Sequence, residues 1–80
     1  MEKESLRALQ ENFGARCREL RVATGLSQEA FARRAEIDRT YYTSIELGAR
    51  NVTIGTVAKI ADALGVTMSD LLDGVSPERP

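Results

Sequence analysis

The stretch Ser27-Gln28-Glu29-Ala30-Phe31-Ala32-Arg33-Arg34-Ala35-Glu36-Ile37-Asp38-Arg39-Thr40-Tyr41-Tyr42-Thr43-Ser44-Ile45-Glu46-Leu47-Gly48 decides the fold. It reads as two short helices with a tight turn between them. Ser27 suits an N-cap, because its hydroxyl can accept a backbone N–H that the first helical turn leaves unsatisfied, and Glu29 complements the positive end of the helix dipole. The spacing predicts a helix over 28–35 with Phe31, Ala32 and Ala35 on its inner face. Asp38 caps a following helix over 39–47. Ile37 before that cap and Tyr42 inside it are placed to pack as a hydrophobic staple, and Gly48 ends the helix. A residue as small as Ala32 lets the two helices cross closely at a wide angle.

Working outward, Leu6, Leu9, Phe13, Cys17 and Leu20 are separated by 3, 4, 4 and 3 residues, one apolar stripe of a preceding helix that Thr24-Gly25 ends. After the quoted stretch, Thr53 caps a helix whose Val57, Ile60, Ala61 and Leu64 share a face and whose end is marked by Gly65. A short last helix over 68–73 ends at Gly74 and brings Leu71 and Leu72 together. No period-2 run of β-branched and aromatic residues occurs, so the fold class is all-α with five helices. The chain reads as a single domain over 1–80, with its core at about 5–74 and a loose tail over 75–80.

The chain has 80 residues, 42% hydrophobic and 29% charged, which fits a folded globule rather than a disordered segment. A chain this short buries only about 60% of the surface it exposes when unfolded, so a partner subunit would help it. No apolar run approaches the ~18 residues of a membrane span, and the opening Met1-Glu2-Lys3-Glu4-Ser5 lacks the apolar core of a secretory signal. A cytoplasmic, nucleoid-associated protein is expected, with no membrane partner. A single cysteine and no histidine argue against a disulfide and a structural metal, and no cofactor is expected. Cys17 on the apolar stripe reads as a reduced core residue rather than a redox sensor. With no histidine and no paired base to activate the serine and threonine hydroxyls, the residues argue against an enzyme.

The net charge of −1 and pI of about 5.4 argue mildly against nucleic acid, but the charge is unevenly spread. Residues 14–52 carry seven arginines against five acids, while residues 53–80 carry two bases against four acids. The middle of the chain is the basic side, and Arg33, Arg34, Arg39 and Arg50 could gather on one surface. Arg33 and Arg34 fit a solvated helix face equally well.

Two helices joined by a turn of about three residues make a helix-turn-helix. The run from Ser27-Gln28-Glu29-Ala30-Phe31-Ala32 through Ile45-Glu46-Leu47-Gly48 resembles the lambda-type phage repressor and Cro family, the Cro/C1-type helix-turn-helix regulators, over about residues 13–72. Within that family, Asp38-Arg39-Thr40-Tyr41-Tyr42, then Ile45-Glu46 and Gly48-Ala49-Arg50-Asn51, looks most like the controller proteins of restriction-modification systems. The resemblance implies a compact lambda-repressor-like DNA-binding domain that acts in transcription regulation. It also implies a homodimer on an operator, with RNA polymerase as a further partner, and an interhelical ion pair between Arg21 and Glu46. One position departs from the pattern. Where the family's turn usually has glycine this chain has Glu36, which costs roughly 1–2 kcal/mol if held left-handed.

In this motif the N-terminal part of the second helix enters the major groove, which makes Arg39, Thr40, Thr43 and Ser44 the candidate base contacts. Arg39 leads them, since a guanidinium donates two bonds to guanine O6 and N7. Gln28, Tyr41, Arg50 and Asn51 are the candidate backbone contacts, with insertion into a narrow minor groove as the other option for Arg50. Tyr42 belongs to the core. Because one recognition helix covers too few base pairs to be selective, Val66, Met68, Leu71 and Leu72 are expected to divide between the core and a two-fold dimer interface, binding a pseudo-palindromic operator. No small-molecule ligand is expected. A prophage-type repressor and an antitoxin-like protein-interaction module on the same scaffold are the other readings the residues leave open.

Overall fold

Helices begin where a side chain can stand in for the missing preceding turn. In the computed structural model, which describes residues 1–78, Ser27, Asp38, Thr53 and Thr67 each accept the backbone N–H three residues on, those of Ala30, Tyr41, Thr56 and Asp70. These caps open α2 (Gln28–Ala35), α3 (Arg39–Glu46), α4 (Ile54–Leu64) and α5 (Met68–Leu71). The longest helix, α1 (Lys3–Thr24), starts after Glu2 without a side-chain cap and ends at Gly25, which is left-handed at φ 80°. There is no strand among the described residues.

One device ends α2, α3 and α4. The N–H groups of Ile37, Ala49 and Val66 reach back to the carbonyls of Ala32, Ser44 and Ala61, while those of Glu36, Gly48 and Gly65 donate to Arg33, Ile45 and Asp62. This Schellman arrangement needs a left-handed residue, and two of the three are glycines. The third is Glu36 at φ 57°, the only non-glycine residue with positive φ among those described. The turn between α2 and α3 therefore keeps its geometry at the expense of backbone strain.

The core forms where the apolar faces of all five helices meet. Phe31 and Tyr42 stack obliquely at its centre, ring centroids 5.1 Å apart, beside Cys17, Ile45, Ile60 and Leu71, all fully enclosed. Burial pushes the Cys17 thiol up to about 12, with the nearby Glu46 charge adding to the effect, so it stays protonated and inert in the core. α3 rests on both α1 and α2, and its C-terminal end comes backbone to backbone with α1. A Cβ at Gly14 would lie 2.3 Å from the Ile45 carbonyl oxygen, and one at Gly48 would lie 2.8 Å from the Glu11 Cα.

The C-terminal part differs from expectation. The last helix covers Met68–Leu71 rather than 68–73, and Leu71 and Leu72 part company: Leu71 is fully buried and Leu72 is exposed. Met68 and Leu71, three residues apart, share the inner face of this single turn, and Leu72 follows on the outer side. Arg16 of α1 donates to the carbonyls of Asp70 and Leu71, holding the end of α5. The segment expected to be a loose tail is also anchored as far as it is described. Val75 packs against the core, and Asn12 Nδ2 donates to the carbonyls of Ser76 and Glu78, at 2.8 and 2.9 Å. Residues 79 and 80 of that expected tail lie outside the described residues. On α1, Leu6 and Leu9 are only half-buried, and Ala8 is buried instead.

Two substitutions test the turn and the close approach. Alanine is the better helix former by about 1 kcal/mol, yet Gly14→Ala should lower the unfolding free energy by about 1–3 kcal/mol, because the added carbon meets fixed backbone. Glu36→Gly should raise it by about 1 kcal/mol by relieving the left-handed strain. Urea midpoints at unchanged m-value measure both.

Candidate nucleic-acid interface

α3 serves two masters. Tyr42 and Ile45 face the core, while Arg39 and Thr40 are exposed and Thr43 and Ser44 sit half-buried at the rim between the two faces. Together with Leu47, these four polar residues line one shallow depression on the surface. The side chains of Arg39 and Thr40 make no hydrogen bond or ion pair with the other described residues, so their donors face solvent. Leu47 was assigned no part in the site from the sequence, yet it is 75% exposed in this depression. The signal was available: two residues beyond Ile45 is about 200° around a helix, the side opposite the core.

Behind the depression lies a carboxylate. The Glu46 side chain is only 2% exposed, and both oxygens accept from Arg21, Nε to Oε2 at 2.7 Å and Nη2 to Oε1 at 3.1 Å. The Tyr42 hydroxyl donates to Oε2, and Gln28 Nε2 donates to Oε1 at 2.9 Å. Arg21 also donates from Nη1 to the Leu26 carbonyl at 2.9 Å, in the turn before α2. Burial pushes the Glu46 carboxyl up, but the hydrogen bonds from Arg21, Tyr42 and Gln28 outweigh it and hold the group below its ordinary value. The same contact with Glu46 holds the Arg21 guanidinium up, and burial together with the Glu46 bond raises the Tyr42 phenol. No buried side-chain nitrogen or oxygen among the described residues lacks a partner.

The structure redistributes several expected roles. Gln28, expected to hold a phosphate, has its side-chain amide turned inward between Glu46 and Thr43, whose hydroxyl donates to Gln28 Oε1 at 3.2 Å. In that first turn the backbone N–H groups of Gln28 and Glu29 remain suited to an anion, since Ser27 takes those of Ala30 and Phe31. Ser44, expected to read a base, donates to the Tyr41 carbonyl at 2.6 Å and accepts from Arg50 Nε at 2.9 Å. Arg50 lies over the Tyr41 ring, 5.3 Å from its centroid. Tyr41 is half-buried between the core and Arg50, and Ser44 and Tyr41 together hold the Arg50 guanidinium at the end of α3. Asn51 is exposed in the next position, away from the depression and on the rim of an apolar groove that Leu9, Phe13, Val57 and Leu72 line.

Of the residues expected at a dimer interface, Val66 and Met68 are half-buried against the core and Leu72 is 39% exposed. Leu71, at 0% exposure, is enclosed by its own chain and has no surface to offer a partner. Among the described residues no helix is long and apolar enough to cross a membrane.

The chain matches the helix-turn-helix family over residues 18–71. It is 46% identical over 67 residues to control protein C.MunI of Mycoplasma sp., across 82% of this chain and 90% of that one. It is 44% identical over 62 residues to control protein C.BamHI of Bacillus amyloliquefaciens, across 76% of each. Its fold is similar to the crystal structure of the restriction-modification controller protein C.AhdI from Aeromonas hydrophila, with a TM-score of 0.75 at 44% identity, covering 78% of this chain and 94% of that one.

The buried carboxylate gives the interface a pH dependence. A group whose folded pKa is depressed stabilises the fold above its unfolded value, near 4.3 for glutamate, and loses that contribution as pH falls through the folded value. Stability by urea titration should therefore decline as pH drops below about 4. The decline should be shallower in Glu46→Gln, which has no carboxylate to protonate at that position.

Proposed function

The chain belongs to the helix-turn-helix family of DNA-binding transcription regulators, as a relative of the restriction-modification control proteins, and we propose that it binds a pseudo-palindromic operator as a homodimer. The family is one of regulators, not of enzymes. One observation carries the proposal: Arg39, Thr40 and Thr43 stand together on the outer face of a capped helix whose opposite face is locked into the core. That leaves the N-terminal part of α3 as a rod able to enter a major groove.

On this reading Arg39 donates in parallel to guanine O6 and N7, and Thr40 and Thr43 contact neighbouring base edges. Leu47 offers an apolar surface to a thymine methyl. Arg50, held by Tyr41 and Ser44, meets the sugar-phosphate backbone, with Asn51 and the first-turn N–H groups of α2 placing the protein on the duplex. Two copies with recognition helices about 34 Å apart span one turn of B-DNA. Val66, Met68 and Leu72 supply apolar surface for the subunit contact, without Leu71. The whole chain acts as one domain, working in the cytoplasm on nucleoid DNA. It serves as the controller of a restriction-modification system, and its position beside a promoter brings it into reach of RNA polymerase.

Gel shifts against operators selected from a random duplex library test the reading. Arg39→Ala should weaken binding about tenfold and relax the preference at one base pair per half-site. Arg39 is exposed, so the circular dichroism should not change. Unchanged selectivity removes Arg39 from the role. A wild-type protein that shows no affinity even for random duplex at low salt removes the DNA-binding proposal altogether.

A further inference from the structure

The polar network behind α3 has a direction, fixed by which atoms carry hydrogens. A carboxylate only accepts, so Gln28 meets Glu46 with the NH2 end of its side chain. Its amide carbonyl then faces Thr43, 3.2 Å from the hydroxyl oxygen. A carbonyl also only accepts. The one hydrogen of the Thr43 hydroxyl is thereby directed at Gln28, and what Thr43 shows at the rim of the depression is lone pairs and a methyl group.

The three small hydroxyls of this face differ in consequence. Thr40 has no partner among the described residues and is free to donate or accept. Ser44 donates to Tyr41 and accepts from Arg50, which leaves it no hydrogen for a base and a single lone pair. Thr43 is left as an acceptor. In the major groove guanine presents two acceptors, whereas adenine and cytosine present an exocyclic amine and thymine a methyl beside its acceptor. A freely rotating hydroxyl suits all of these, but one whose hydrogen is held elsewhere meets guanine lone pair to lone pair.

Resting on the regulator reading above, we infer that Gln28 is a specificity-positioning residue: by holding the Thr43 hydroxyl as an acceptor, it makes the base beneath Thr43 an amine-bearing base or thymine and excludes guanine. Gln28 itself touches no base in this role. A phosphate contact at Gln28 would act differently, changing affinity alike for every sequence.

Selection of operators by the intact protein from a duplex library, read by sequencing, separates the cases. Thr43→Ala marks the base position concerned, as the one whose preference it erases. There the wild type should disfavour guanine by about tenfold. Gln28→Leu releases the hydrogen and should cut that penalty to about twofold or less, leaving the preference under Arg39 intact. Thr43→Val keeps the methyl and has no hydrogen to give, so it should go on excluding guanine; because it leaves Gln28 and Glu46 paired, it serves if Gln28→Leu does not fold. The inference is overturned by guanine accepted by the wild type at that position, guanine accepted by Thr43→Val, or guanine still excluded by a folded Gln28→Leu. A loss uniform over all positions in Gln28→Leu also overturns it, in favour of a phosphate contact. A wild type that selects no sequence instead removes the regulator reading, and this inference with it.

Discussion

An ionised carboxylate sits in the interior of a small protein only if its oxygens are answered by donors, and the placement of α3 depends on how Glu46 is answered. Its partners come from α1 through Arg21, from α2 through Gln28 and from α3 itself through Tyr42. Each donor is fixed by a second attachment: Arg21 to the Leu26 carbonyl, Gln28 to Thr43, and Tyr42 by its ring against Phe31. The pair contributes geometry more than net stability. Burying two charges costs about what their attraction returns, yet losing one partner leaves the other unanswered at a cost of roughly 3–5 kcal/mol. The angle between the two helices of the motif is thus over-determined, because any change in it breaks several hydrogen bonds at once.

A second constraint works from the other end of α3. An eight-residue helix has about two turns, too few for one part to be buried and another free unless the division is enforced. Gly14 and Gly48 enforce it, since both allow contact with α1 that any side chain would block, and the left-handed φ of Gly48 turns the chain away at once. The C-terminal end of α3 is clamped by backbone and the N-terminal end by the Asp38 cap alone. Arg39 and Thr40 lie at the lightly held end and are exposed, while Thr43, nearer the clamped end, is half-buried against Gln28.

What was legible in the sequence was local. The caps at Ser27, Asp38 and Thr53 and the stops at Gly25, Gly48 and Gly65 act within a few residues of their own position, so they could be placed without knowing the fold. The left-handed Glu36 was legible as a cost, though only tertiary packing decides that the chain bears it. What escaped was set by distant partners. Gly14 looks like a weak spot in a helix until the Ile45 carbonyl is seen against it, and Leu71 and Leu72 look alike until one turn of helix points only one of them inward. At Ser44 and Gln28 the partners of a hydroxyl and an amide are chosen by side chains away in sequence, Arg50 and Glu46, and no periodicity reports them.

The acidic composition then stops being an argument against DNA, because position matters more than the sum. In the middle of the chain Glu46 is buried and paired with Arg21, and Glu19 is paired with Arg16 at 2.9 Å. Asp38 accepts a backbone N–H at the positive end of α3, where the helix dipole offsets its charge. Arg33, Arg34, Arg39 and Arg50 are exposed and form no ion pair among the described residues. Arg39, on the α3 depression, and Arg50, held by Ser44 and Tyr41, thus carry charge that no acid among the described residues pairs with. Screening confines each charge to about 8–10 Å at physiological salt, so a phosphate approaching α3 responds to these neighbours rather than to the acids distributed over α4, α5 and beyond.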